Sequence, residues 1–216
     1  MSRQPAFQTA RLDQLERFEG RFDTIPIRIP LGIAAFGVNA YTSRQAGGEI
    51  IEEHDELGAG AGGHEELYLV LAGHARFVVG GEDLDAPAGT LVFVRDPATR
   101  REATAVEPDT TVLVVGGTVG EAFRPSPWES WLEALPSYKA GDFDAAAAVL
   151  QRALELHPDN PNVLYNLACC EALAGRADEA LEHLMRSAER DPRVVKWAAS
   201  DEDLDSIRDD ERFPRS

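Results

Sequence analysis

Residues 138–160 read YKAGDFDAAAAVLQRALELHPDN and residues 164–192 read LYNLACCEALAGRADEALEHLMRSAERDP; together they decide the architecture of the C-terminal half. Gly141, Ala146, Leu150 and Pro158 in the first stretch return as Gly175, Ala180, Leu184 and Pro192 in the second, each displaced by 34 residues. A fixed period of this length marks supersecondary units that stack on one another. In each copy a glycine separates two helical patterns and a proline closes the second. Ala146 and Ala180 are small where paired helices must approach closely. After Pro192, VVKWAASDEDLDSIRDDERF predicts a third, truncated unit whose acidic final helix caps the array.

These positions resemble the tetratricopeptide repeat. Trp131, Tyr138, Gly141, Ala146, Leu150, Ala153 and Pro158 fall on its consensus in the first copy, and Leu164, Leu167, Ala168, Gly175, Ala180, Leu184 and Pro192 in the second. The departures are Ala134 and Leu135, with Pro136 interrupting the first helix, and then Glu171 and Ser187. The resemblance implies a protein or peptide partner held by the helices. The same helices could instead pack on the rest of the protein or on a second subunit.

The array is entered through EAFRPSPWESW, residues 121–131. Pro125 and Pro127 stiffen this joint. Ser126 and Glu129 have capping-box spacing with Pro127 at the first helical position, so the first helix is expected to begin at Pro127. Trp128 and Trp131 lie three apart on one helical face.

From Asp23 to Gly117 the helical period disappears. IPIRIP, IAAFGVNAYT, GEIIEEH, ELYLVLAG, HARFVVGG, GTLVFVRD, REATAVE and TTVLVVGG are short β-rich runs punctuated by Gly, Pro and Asp. Their spacing predicts a sandwich or a closed barrel. RFVVGGEDLDAP predicts a hairpin turning at Gly80-Gly81.

Residues 24–120 resemble the cupin family. Gly48, five residues, His54, Asp55 and Glu56 follow the opening of its first motif, with Glu56 in place of a histidine. HEELYLVLAGHARF is close to the family's strand that carries a Glu seven positions before a Gly, here Glu66 and Gly73, and GGEDLDAPAGTLVFV matches its hairpin with Thr90 in place of Asp. The fold expected is therefore α+β multidomain: a cupin-type double-stranded β-helix, or jelly-roll barrel, followed by α-helical tetratricopeptide-like repeats. The bounds read from the chain are 1–23 for an N-terminal extension, 24–120 for the barrel, 121–126 for a proline-containing linker and 127–216 for the helices with their acidic cap.

Cupins commonly hold a divalent metal with three His and one Glu facing into the barrel. Strand alternation puts His54 and Glu56 on one face, and His64, Glu66 and Tyr68 on one face. LGAGAGG at 57–63 is an insertion read as a flexible rim loop or lid. Counting forward from Gly89, the third histidine's place falls to Arg100, which has no lone pair for a metal. Two arrangements remain open. In one, His54, Glu56, Glu66 and His64 bind Fe, Mn, Ni or Zn with mixed N/O ligands. In the other, the metal is lost and Arg100 pairs with Glu56 or Glu66, leaving a polar pocket of His54, Glu56, His64, Glu66, Tyr68 and Arg100 for an anionic or hydroxylated ligand. His74 is expected to face solvent, His157 to stand at a helix end and His183 on a helix surface.

The chain of 216 residues has no stretch long and apolar enough to span a bilayer and no apolar signal core near its start, so a cytoplasmic address is expected. The net charge of −17 is spread evenly: 19 acids and 11 bases in residues 1–127, 19 and 10 in residues 128–216. Nucleic acid and anionic membrane are poor partners for such a surface. Cys169 and Cys170, the only cysteines, read as small packing residues. The leading function is a small-ligand binding or sensing barrel coupled to a protein-interaction segment. The alternatives are a metal-dependent enzyme, of dioxygenase or isomerase type, using His54, His64 and Glu66, and a scaffold without ligand. A homodimer is what the cupin resemblance implies.

Overall fold

The computed structural model describes residues 7–215. The chain divides into two compact units, one running to Arg124 and the other from Pro125 onward, the second also taking in residues 59–61. The first is built of strands and the second of helices, so the α+β class holds.

The described strands of the first unit are β1 (Asp23–Pro26), β2 (Gly37–Ser43), β3 (Glu49–His54), β4 (Glu65–Ala72), β5 (His74–Val79), β6 (Glu82–Pro87), β7 (Leu91–Val94), β8 (Arg101–Ala105) and β9 (Thr110–Gly117). They pair antiparallel in two sheets, ordered β1-β2-β9-β4-β7 and β3-β8-β5-β6. From β2 onward this is the strand order of a jelly roll, two Greek keys wound so that each sheet takes alternate pairs of strands. Period-two patterning aims the core. β4 sends Tyr68 and Val70 inward and β9 sends Val112 and Val114 inward, against Ile50 and Phe77 of the other sheet. Each such side chain contributes about 1.5–3 kcal/mol by leaving water. The β5–β6 hairpin turns at Gly80 and Gly81 as expected, both at positive φ (59° and 87°). IPIRIP does not form one strand. β1 ends at Pro26, which has no N–H for a ladder, and Arg28–Leu31 makes a single helical turn, α1.

The second unit holds α2 (Pro127–Lys139), α3 (Phe143–Leu156), α4 (Pro161–Leu173), α5 (Ala177–Arg190) and α6 (Arg193–Ala198), followed by a 3-10 helix at Glu202–Ile207. α2 and α4 start 34 residues apart, and so do α3 and α5. The repeated Ala146, Leu150, Ala180 and Leu184 are fully buried. Asp142 caps α3 by accepting from the Ala145 N–H at 3.1 Å, and Asn160 caps α4 through the Asn162 and Val163 N–H groups. Ser126 is the N-cap of α2 with Pro127 first in the helix, but its side chain makes no cap hydrogen bond, so the capping box is not formed. Pro136 does not break α2, which continues to Lys139.

The acidic segment is more than a polar cover. Leu204 and Ile207 are buried in the cluster of α4 and α5, while Asp203 accepts from the Tyr138 hydroxyl at 2.7 Å and Asp201 from the Tyr165 hydroxyl at 2.6 Å. Cys169 and Cys170 are buried, and burial pushes the Cys170 thiol up to about 12. His183 is not on the surface: its Nδ1 lies 2.7 Å from Glu171, in a partly buried pair between α5 and α4. That pairing accounts for Glu171, one of the departures from the repeat pattern.

Candidate functional site

β3 delivers His54 and, just past its end, Glu56; β4 delivers Glu66 and Tyr68; β8 delivers a cation. That cation is Arg101, and the expectation for Arg100 is corrected. The Arg100 side chain is 61% exposed and its Nε bonds Glu53 at 2.9 Å, whereas the Arg101 side chain is 0% exposed. β8 alternates Arg101, Ala103 and Ala105 inward, so the residue one place earlier points away.

Arg101 is held on all sides. Its Nε and Nη2 donate to Glu66 Oε2 at 3.1 and 2.8 Å, and its Nη1 donates to the carbonyls of Pro97 at 3.2 Å and Thr99 at 2.8 Å. Glu66 Oε2 also accepts a short hydrogen bond from the Tyr68 hydroxyl. The guanidinium thus sits as a fixed positive charge beside a nearly buried carboxylate, the arrangement that makes burying both tolerable.

His54 faces the same carboxylate. Its Nδ1 lies 2.7 Å from the Glu52 carbonyl, which can only accept, so Nδ1 carries the hydrogen. Nε2 then looks toward Glu66 Oε2 at 3.7 Å and Glu56 Oε1 at 3.9 Å. Burial alone would lower the His54 pKa, but the Glu66 carboxylate facing Nε2 and the Glu52 carbonyl at Nδ1 outweigh it and hold the ring above its ordinary 6.5. Burial alone would raise the Glu66 pKa; His54, Tyr68 and Arg101 outweigh it and hold the carboxyl below 4.5. Tyr68 is pushed well above its ordinary value by burial and by Glu66, so it stays a donor.

The linkage follows from these two directions. A raised His54 pKa adds stability that is complete below about pH 6.5 and fades as pH rises through the folded value. A lowered Glu66 pKa adds stability that is complete above about pH 4.5 and fades as pH falls through the folded value. The contribution of these two groups to the N-terminal unit is therefore expected to be largest from about pH 4.5 to 6.5 and to fade as pH rises through the folded His54 value. Thermal unfolding followed against pH checks this, with His54→Gln flattening the alkaline limb. An NMR titration of the His54 ring with a midpoint below 6.5 would contradict it.

Glu56 is placed by backbone. Its Oε2 accepts from the N–H of Gly62 at 2.9 Å and of His64 at 3.3 Å, its N–H donates to the Pro97 carbonyl, and its carbonyl accepts from Gly63. The 57–63 insertion is thus tied at its end to Glu56. A side chain at Gly62 would start 2.3 Å from the His64 ring, so any larger residue there would have to displace that ring. His64 itself is buried, with Nδ1 3.9 Å from Glu56 Oε2 and its ring 5.4 Å from Phe123, over which Arg28 lies at 5.8 Å. Neither Arg101 nor Phe123 is singled out by the sequence.

Among the described residues, His54, Glu56 and Glu66 each bring one donor atom within 4.8 Å of the others. Ligands at about 2.0–2.2 Å on one ion sit roughly 3–3.6 Å apart, so this trio needs only a small contraction to hold a divalent cation with open positions. His64 lies outside the trio, on the far oxygen of Glu56. A second trio, Cys169, Asp201 and Asp203, lies in the helical unit, where Tyr138 and Tyr165 already occupy the carboxylates.

Residues 137–199 match the family model described as tetratricopeptide repeat. A curated relative from Arabidopsis thaliana, a TPR repeat-containing thioredoxin, is 29% identical over 121 residues, which are 54% of this chain and 18% of the relative; the chain thus spans under a fifth of that protein. Among solved structures, the chain is similar to a cupin protein from Bacteroides fragilis (18% identity, TM-score 0.43, 56% of this chain and 94% of that one). It is also similar to a sugar phosphate isomerase of the cupin superfamily from Silicibacter pomeroyi (17%, 0.42, 52% and 76%) and to an RmlC-like cupin protein from Desulfovibrio desulfuricans (24%, 0.36, 54% and 95%).

Proposed function

From a chain that pairs a cupin-type jelly roll with tetratricopeptide-like repeats, we propose a small-ligand binding module coupled to a protein-interaction segment. The observation that carries the reading is the commitment of Arg101. Most of its N–H donors are spent on Glu66, Tyr68 and two carbonyls, so little is left for an anion. What the cluster offers is two carboxylates, His54 Nε2 and a resident positive charge. These suit a ligand that brings hydroxyl or amine hydrogens better than an anionic one. The repeats would hold a segment of another protein.

The second reading is a divalent metal at His54, Glu56 and Glu66, favoured by the convergence of their donor atoms. A metal there would supply Lewis acidity, with Tyr68 and Arg101 keeping Glu66 ionised and oriented. Thermal shift assays with neutral sugars and polyols, and separately with Mn²⁺, Ni²⁺ or Zn²⁺, distinguish the two. A hydroxylated ligand at 100 times its Kd is expected to add about 2.7 kcal/mol, and His54→Ala to abolish the gain. Stoichiometric metal retention that disappears with His54→Ala or Glu56→Gln, and no polyol effect, would replace the first reading by the second.

A further inference from the structure

Asn39 stands in the middle of β2, and its Oδ1 is buried without a hydrogen-bond donor among the described residues. The residue is 7% exposed. Asparagine is depleted in strands, and an unmet buried acceptor is destabilising. Leucine, of nearly the same shape, carries neither disadvantage. Register shows which way the side chain points. Asn39 is opposite Val114 of β9, and Val114 is opposite Tyr68 of β4, both in the core. Asn39 therefore faces the interior of the jelly roll, as does Tyr41 two residues on, which packs against the same core. Its partner on the other side is Pro26, which has no N–H to offer. The next row of this inner face is Gly37, Gly116 and Glu66. β2 and β9 thus put no side chain into the row that holds Glu66. A Cβ at Gly116 would lie 3.3 Å from Glu66 Cγ, and one at Gly37 would lie 3.1 Å from the Phe123 ring.

We infer that Asn39 is a binding residue of the same site, its Oδ1 accepting a hydrogen from a hydroxyl or amine of the ligand whose other end meets Glu56, Glu66 and His54. The inference rests on the reading of a hydroxylated or amine-bearing ligand given above and adds a subsite to it. The groups agree in kind. Oδ1, the two carboxylates and the neutral His54 Nε2 are all acceptors, so one molecule rich in donors satisfies them together. They agree in spacing. Asn39 is two strands and one row away from Glu66. Strands about 4.8 Å apart, rising about 3.3 Å per residue, put the two Cα atoms roughly 12 Å apart. Both side chains reach into that interval, and a monosaccharide or cyclic polyol spans what is left. The surroundings agree as well. The His64 and Phe123 rings, 5.4 Å apart, lie beside the glycine row and give the C–H face of a sugar ring an apolar wall. Small-molecule sites combine such walls with a few placed polar groups.

The test is a thermal-shift titration of the full chain with sorbitol, myo-inositol and glucosamine, the native protein against Asn39→Leu. The unliganded variant is expected to melt no lower than the native chain, because an orphaned acceptor has been exchanged for an apolar group of its shape. Its affinity for whichever probe shifts the native chain is expected to fall on the order of tenfold, the worth of one hydrogen bond. If leucine crowds the interior and the variant does not fold, Asn39→Ala replaces it with the same loss expected. A folded variant that binds the probes as the native chain does overturns the inference, leaves Oδ1 to a bound water and lets the polyol reading stand. If neither variant folds, Asn39 is structural and the inference fails. A native chain that none of the three probes shifts removes the polyol reading and this subsite with it.

Discussion

Arg101→Ala is expected to destabilise the N-terminal unit by about 3–5 kcal/mol, the usual cost of stripping one partner from a buried ion pair. The loss is large because several groups lose the same partner together. Glu66 is left nearly buried with only Tyr68 and His54, the Thr99 carbonyl loses its Arg101 donor, and the Pro97 carbonyl is left with the Glu56 N–H alone. Arg101→Lys should recover little, since one ammonium cannot bridge a carboxylate and two carbonyls in the guanidinium's fork geometry. Arg100→Ala, one residue earlier, should change stability by no more than about 0.5 kcal/mol, because its pair with Glu53 lies in solvent. Urea unfolding followed by far-ultraviolet circular dichroism checks all three. Equal effects of Arg100→Ala and Arg101→Ala would contradict this account of the site.

Leu184→Ala is expected to cost about 2–5 kcal/mol, and Leu150→Ala a similar amount, since each removes a fully buried side chain from a packed helical cluster. The chain offers a convenient readout. Its three tryptophans, Trp128, Trp131 and Trp197, all lie in the helical unit. Intrinsic tryptophan fluorescence therefore reports the helices. Leu184→Ala should move that fluorescence transition to lower denaturant. A fluorescence midpoint unchanged by Leu184→Ala would mean the repeated leucines do not carry the array.

The repeats were legible because their signal is redundant: four residue types recur at one offset, and helix ends are written in Gly, Pro, Asp and Asn. The strands were legible as runs, and their strand order emerges only when all eight core strands pair. The site shows where such reading stops. A motif count put the cation at Arg100, and since strand side chains alternate with period two, an error of one residue moves it to the opposite face. The run REATAVE held the correction, because Ala103 and Ala105 are the apolar, inward positions and Arg101 shares their parity. The roles of Glu56 and His64 were not legible. Both depend on the backbone path of the 57–63 insertion, where Gly62 and His64 N–H groups converge on one carboxylate oxygen, and no local pattern encodes that path.

Arg101 has a consequence for how the protein meets its surroundings. A pocket that balances its carboxylates with a free cation depends on supply, and its composition varies with whatever ion is abundant. Here the balancing charge is part of the polypeptide, made at translation and present in every molecule. Glu66 accordingly has its counter-charge beside it whatever ions the surroundings supply.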